Sequence, residues 1–509
     1  ASLAGHQKLG NLVVIYDSNQ ISIEDDTNIS FSESVNDRYL SYGWHTQTVD
    51  WKKTGNYVED LEELYAAIER AKATTDKPSL IILRTIIGWP SPKKQNSGKI
   101  HGSALGAEEL AGLKQVLGFD PEKTFDVAPE VIAHTRAYQK RADALRSDWQ
   151  SSFDAWAVKI SEAKKLLDRV LSGAAPAEIE SALPKFDGGT EVSTRAASGK
   201  VINAIAAVMP ELWGGSADLA ESNLTTINSA KSFVPSEWST HEWSGDVYGR
   251  VLHFGIREHA MAAILNGIAL HGNTRAFGGT FLIFSDYMRP AVRLAALMDI
   301  PSTFIWTHDS IGLGEDGPTH QPIEHFAAVR AIPNFAVIRP ADANEVAQAW
   351  RSILQRQKPA GLLLSRQNLR TVDRSTHGAA SGVDKGAYIL KDGSAAPRVV
   401  IIATGSEVGI ALDAQIALEA EGIATRVVSA PCLEWFNEET ESYRTSVIPT
   451  TALRVSVEAG IAQGWREYVG DKGIVISLDH FGASAGAGKL FAEFGFSAER
   501  IVGEIKKAL

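Results

Sequence analysis

Cysteine is almost absent: Cys432 is the only one in 509 residues, so no intrachain disulfide can form, and a structural zinc would rest mostly on histidines. That usage fits a reducing compartment, and the cytoplasm is the expected location. Long apolar runs are missing too. The longest, such as Leu12 to Tyr16, have strand length and fall far short of a spanning helix. The small polar residues after Ala1 lack the charged start and apolar core of a signal peptide, and there is no initiator methionine. An excess of positive charge is also lacking. Lys and Arg total 50 against 61 Asp and Glu, a formal charge of −11 that repels phosphate backbones. Neither nucleic acid nor membrane is an expected partner, and an anionic substrate would need a local cationic cluster. No short repeat or low-complexity tract breaks the chain.

What is present is enough for several cores: 44% of residues are hydrophobic and 22% charged, at a length that predicts two or three domains. Strand and helix patterns alternate. Asn11 to Tyr16 reads as a buried strand, Asp60 to Lys72 as a helix with Leu61, Leu64, Tyr65 and Ile68 on one face, and Leu80 to Leu83 as the next strand. Residues 107 to 182 turn charged and helical, as a solvated arm between domains. Further strands are expected at Val251 to Phe254, Ser302 to Trp306 and Gly361 to Leu364, with helices at Ala260 to Leu270 and Ala343 to Leu354. Val399 to Ala403 and Thr425 to Ser429 are strands around the helix Val408 to Glu421, closed by Gly422. The fold class is α/β, with parallel or mixed sheets flanked by helices.

Two motifs look specific and are not. Gly312-Leu-Gly314-Glu-Asp-Gly317 has the dinucleotide spacing, but Pro318 and Pro322 forbid a long helix after it, and Glu315 and Asp316 would face a pyrophosphate. Gly482 to Lys489 resembles a phosphate loop with one residue too many and Leu490 where Ser or Thr belongs. His320 and His325 flank Glu324 without the spacing of a zinc helix. The densest polar cluster runs from His308 to Pro322, after the apolar Thr303 to Trp306. A strand ending in a glycine-rich loop with His308, Asp316 and His320 is a common way to build a site.

That run resembles the transketolase family, and so do five others. Gly214-Gly-Ser-Ala-Asp218-Leu-Ala-Glu-Ser222-Asn-Leu-Thr225 is similar to its phosphate-side loop, and His253-Phe-Gly-Ile-Arg-Glu258-His to the segment with its cofactor-activating glutamate. Thr280-Phe281-Leu-Ile-Phe284-Ser-Asp-Tyr287 is similar to its aromatic cofactor wall, Ser365-Arg366-Gln-Asn-Leu369 to its second phosphate arginine, and Ser18-Asn19-Gln-Ile21-Ser-Ile to the tail of its metal motif. The likeness extends from Leu3 to the C-terminus and is least specific in the helical arm.

The resemblance implies a thiamine-diphosphate-binding fold with an incomplete first domain. Residues 1–106 would be the remainder of a diphosphate-binding domain, 107–189 a helical connector, 190–375 a pyrimidine-binding domain and 385–509 the C-terminal transketolase domain. It implies thiamine diphosphate with Mg2+ or Ca2+, sugar phosphates as substrates, and a homodimer with the site at the subunit interface. Asn19 and the carbonyl of Ile21 would bind the metal, and Asp218, His101, Phe281, Phe284 and Tyr287 the cofactor, with Glu258 at a ring nitrogen of its aminopyrimidine. His101 and His308 would hold substrate hydroxyls and move protons, and Asp316 would read a hydroxyl. Arg195, Ser222, His320 and Arg366 would grip the phosphate. The family's Gly-Asp-Gly metal element and two further histidines find no counterpart before Asn19, so the chain by itself is expected to bind cofactor poorly and to be inactive. Within the same cofactor class, dihydroxyacetone synthase is the relative hardest to separate. Deoxyxylulose phosphate synthase and the dehydrogenase first components differ around the His308 and Ser365 runs. Outside the class stand a nucleotide-dependent oxidoreductase using Gly312 to Gly317 and a non-catalytic binding fragment.

Overall fold

A computed structural model describes residues 1–509, in two compact units: Ala1–Ser161 with Val234–Trp238, and Glu162–Phe233 with Ser239–Leu509. The first unit holds a three-stranded parallel sheet in the order Val13–Asp17, Ser79–Arg84, His45–Asp50. The middle strand is the apolar SLIILR and is buried over its first five residues. Its helix Leu61–Ala73 starts on Asp60, whose carboxylate accepts from the Glu63 N–H at 2.9 Å, and it packs Ala67 and Ala71 on Val49, Ile81 and Leu83. The strand expected to be buried at 11–16 exists but lies at the sheet edge, with Ile15 47% exposed. Its apolar letters say strand without saying how many neighbours it has. The charged arm contains the helix Pro129–Lys159, in which no residue is buried.

The second unit carries two sheets. Eight parallel strands run in the order Ala336–Ile338, Ala360–Leu364, Thr303–Thr307, Arg275–Phe281, Leu212–Ser216, Val251–His253, Ser232–Phe233, Gly245–Asp246. The central strands are apolar on both faces and buried throughout, as a parallel sheet covered by helices requires. Five strands follow in the order Tyr388–Lys391, Thr425–Ser429, Val399–Ala403, Leu453–Val457, Ile474–Ile476, the first antiparallel and the rest parallel. The helix Glu407–Ala420 ends where Gly422 takes a φ of +77°, the left-handed turn that glycine adopts without cost.

Buried ions tie these two sheets together. Arg339 donates to Asp309 at 2.8 Å and also pairs with Glu407, and all three side chains are buried. Arg330 forks onto Glu458 at 2.7 and 2.8 Å, and the Thr404 hydroxyl donates to the same carboxylate. Glu345 accepts from Tyr388 at 2.6 Å and Ser429 at 2.7 Å, next to an Arg374–Asp342 pair. No helix is long and apolar enough to cross a membrane.

Candidate active site

Parallel strands bring distant motifs to one edge. Ser216 is in register with His253 and Gly279, Phe281 with Thr307, and Thr307 with Leu364. The loops that follow these strands hold Asp218 and Ser222, then Glu258, then Phe284 and Tyr287, then His308 to His320, then Arg366. All therefore leave from the carboxyl edge of one sheet, where open α/β sheets bind ligands.

Within that edge the rings form a stack. Phe281 lies 3.6 Å from His308 and 5.8 Å from Phe284 at an interplanar angle of 5°, and Tyr287 continues the row at 6.1 Å. His320 meets Phe284 edge-on at 5.8 Å. Arg195, one residue into the helix Thr194–Val208, donates to the Ser222 carbonyl, while its Nε is buried with no partner. No carboxylate pairs with Arg195. Burial, then the charge of Arg366, lowers its pKa. Burial is also the first cause of the low pKa of His308, followed by Arg195, Arg366 and His320, and it stands at about 3. A cationic patch thus exists inside an acidic protein, with donors left unmet.

His308 takes a φ of +60°, a conformation costly for a side-chain-bearing residue, and both neighbours hold it there. Thr307 bonds its Nδ1 at 2.8 Å, and Asp309 is fixed by Arg339. Asp218 also adopts a left-handed φ, +65°, and is exposed. Glu258 opens the helix Glu258–His271, half-buried, with no side-chain partner in the chain; a carboxylate is favoured at that helix end. Asp316 is exposed on the loop and His320 half-buried beside it.

Asn19, Ile21 and His101 belong to the first unit. Asn19 makes the turn that its residue type predicts: its amide oxygen accepts from the Ile21 N–H at 2.9 Å and its nitrogen donates to Asp17 at 3.1 Å. The segment before His101 packs on the hairpin after Ile21, so closely that a Cβ on Gly98 would stand 2.9 Å from the Ile23 carbonyl oxygen. His101 itself is exposed. The donors at Asn19, Ile21 and Asp17 are all oxygen, which suits a hard divalent cation.

Several supporting residues went unseen in sequence. Asn223 and Thr307 are buried and bonded to each other at 2.7 Å. Both amide atoms of Gln367 are buried without partners, against Gly312. Gln321 bonds the carbonyls of Gly314 and Ala483 at 3.0 and 2.9 Å. A buried polar residue inside a motif is the one signal that could have found them. The dinucleotide reading fails on geometry: Ile311–Leu313 is a single tight turn, and the next helix, His325–Arg330, begins beyond Gly317. Asp286, Glu324 and His325 gather ligand atoms within 4.8 Å, but the carboxylates face different ring nitrogens, Nε2 at 3.2 Å and Nδ1 at 3.7 Å. That arrangement suits shared protons better than a shared ion.

Three family models match the chain. The family described as the transketolase thiamine diphosphate binding domain matches residues 1–176, its pyrimidine binding domain 190–372 and the transketolase-like C-terminal domain 386–497. A transketolase of Mycobacterium tuberculosis is 54% identical over 519 residues, which is all of this chain and 73% of the relative. One from Geobacillus stearothermophilus is 45% identical, covering all of this chain and 75% of that protein. A crystal structure of a mutant transketolase from Pichia stipitis with fructose 6-phosphate superposes with a TM-score of 0.93 at 40% identity, over all of this chain and 73% of that one. The same organism's enzyme with sedoheptulose 7-phosphate gives 0.92, with the same identity and coverage.

Proposed function

The chain belongs to the transketolase family of ketol-transferring transferases, and we propose that its own reaction moves a two-carbon ketol unit from a ketose phosphate to an aldose phosphate, in the pentose phosphate pathway and in the cytoplasm. The observation that carries the assignment of residues is the sheet edge itself: an aromatic row, a carboxylate without a partner and Arg366 leave from strands of one parallel sheet, and Arg195, on the helix Thr194–Val208, is close enough to Arg366 to feel its charge.

Thiamine diphosphate fits what is there, and when bound it supplies the electron sink that breaking a bond beside a carbonyl requires. Phe284, with Phe281 and Tyr287, would give its pyrimidine ring a flat apolar wall that excludes water. Glu258 would share a proton with a ring nitrogen, and having no partner in the chain it is free to do so. Asp218 and His101 would complete the cofactor contacts. Asn19 Oδ1, which keeps a second lone pair, and the Ile21 carbonyl would hold Mg2+ or Ca2+.

Arg195 and Arg366 would take the substrate phosphate between them, with Ser222 and His320 at its rim. Their charges repel each other until an anion arrives, so the site is poised for a dianion. His308 and His101 would hold hydroxyls and pass protons, and Asp316 would accept a hydroxyl. Residues 1–106, 107–189, 190–375 and 385–509 are the domains in this reading. A homodimer accompanies it, supported by apolar residues exposed on the helices Ser285–Met298 and Glu258–His271.

A coupled assay tests the whole. With thiamine diphosphate and Mg2+, a protein carrying this chain together with the family's Gly-Asp-Gly metal element should convert xylulose 5-phosphate and ribose 5-phosphate to sedoheptulose 7-phosphate, while residues 1–509 by themselves should be inactive, and Glu258→Gln should lower the rate by about a hundredfold or more. An unchanged rate in that variant would remove Glu258 from the mechanism. Preference for formaldehyde over ribose 5-phosphate as acceptor would point to dihydroxyacetone synthase instead.

A further inference from the structure

Four buried side chains behind the site form one directed hydrogen-bond relay. Ser216, Asn223, Thr307 and His308 are each at most 3% exposed, so the relay exchanges little with water. Its direction can be read from one end. The Gly279 carbonyl takes the Ala217 N–H at 3.0 Å on one lone pair and stands 3.0 Å from the Ser216 hydroxyl oxygen, a contact that needs a proton between the two oxygens, and only the hydroxyl has one to give. The same hydroxyl oxygen takes the Leu219 N–H at 3.1 Å and the Asn223 amide nitrogen at 2.9 Å. That turns the Asn223 carbonyl oxygen toward Thr307, whose only hydroxyl proton it receives at 2.7 Å. Thr307 has then nothing left to donate to His308. At 2.8 Å it can only accept, and His308 Nδ1 must carry a proton. Space around it is tight: a Cβ at Gly279 would strike Thr225 Cγ2 at 2.8 Å and crowd the Asn223 amide nitrogen at 3.2 Å.

We propose that Ser216, Asn223 and Thr307 are positioning residues that lock His308 as the neutral Nδ1–H tautomer, so that Nε2 meets a ligand as a hydrogen-bond acceptor. The ring is neutral because burial, then Arg195, Arg366 and His320, oppose its charge. Nε2 makes no bond within the chain. Around it the two arginines can only donate, so the relay gives the site an acceptor beside two donors. Such a group takes the proton of a sugar hydroxyl or of a monoprotonated phosphate. That Nε2 meets substrate rests on the transketolase reading; the tautomer rests on the relay alone.

Nitrogen-15 spectra of the full chain, labelled in histidine and free of ligand, read the tautomer without needing turnover. His308 is assigned by the signal lost in His308→Asn. The expected spectrum has a protonated Nδ1 and an unprotonated Nε2. Thr307→Val, close in shape but unable to accept, should exchange the two nitrogen shifts, and Thr307→Ser should restore the wild-type pattern. A wild-type ring protonated at Nε2 alone would overturn the proposal, as would a folded Thr307→Val protein with unchanged shifts. If that variant does not fold, the wild-type spectrum decides. Failure of the coupled assay with this spectrum intact would count against the transketolase assignment and leave the relay standing.

Discussion

His308 shows how far a side chain departs from its free behaviour once placed. Its ordinary pKa of 6.5 falls to about 3, burial first and the charges of Arg195, Arg366 and His320 next. The neutral form is therefore the one the fold favours. The stability it contributes is fully present above 6.5 and is lost as pH falls toward 3. Arg366→Ala removes one repelling charge and leaves burial in place, so the ring should titrate higher than in the wild type while staying below 6.5. An NMR titration of the ring checks this, and an unchanged midpoint would mean that Arg366 does not act on it. The sequence could place His308 in a crowded loop after a strand. It could not supply the pKa, because both arginines come from other segments and meet the ring only through the sheet.

Among the elements, the loop from His308 to Pro322 depends on the five-stranded sheet. Gln321 bonds Ala483, and a Cβ on Gly317 would strike the Ser484 hydroxyl at 2.3 Å. Arg339 holds Asp309 from one side and pairs with Glu407 on the other. The C-terminal region, silent in sequence beyond its packing, is thus a buttress for the chemistry loop. Glu458 is the keystone of the neighbouring pair. Burial opposes its charge, yet Arg330 and then Arg339 overcome it and hold the carboxyl at about 2. Its contribution is present above the ordinary 4.5 and lost as pH falls toward about 2. Glu458→Gln leaves two buried arginines short of an anion and should cost about 3 kcal/mol, seen as a lower melting temperature at neutral pH. A melting temperature within error of the wild type would show that the pair is replaceable.

Strands such as Val399–Ala403 and Thr303–Thr307 were legible because a short apolar run has few other readings. Edge or centre was not legible, as Val13–Asp17 shows, since identical letters serve both. Nor could letter spacing separate the Gly312 to Gly317 turn from a nucleotide loop; the prolines after it and the acidic Glu315 and Asp316 within it did.

At the scale of the molecule, an apolar surface remains uncovered. Tyr287, Leu294, Leu297 and Met298 line one side of the helix Ser285–Met298, with Leu297 68% exposed, and Ile264 and Leu270 are exposed on the helix packed beside it. A patch of that kind marks a protein interface, and it sits directly after the aromatic wall. The expected assembly is a homodimer, and Leu294→Glu should shift light scattering to the monomer mass. A wild-type monomer at micromolar concentration would contradict the dimer. Arg195 and Arg366 are proposed to hold the phosphate of the substrate, and calorimetric titration of ribose 5-phosphate into the protein reads that contact. Arg366→Ala should weaken that binding by about tenfold or more and leave the weaker binding of unphosphorylated ribose unchanged. Equal affinity for ribose 5-phosphate in variant and wild type would contradict it.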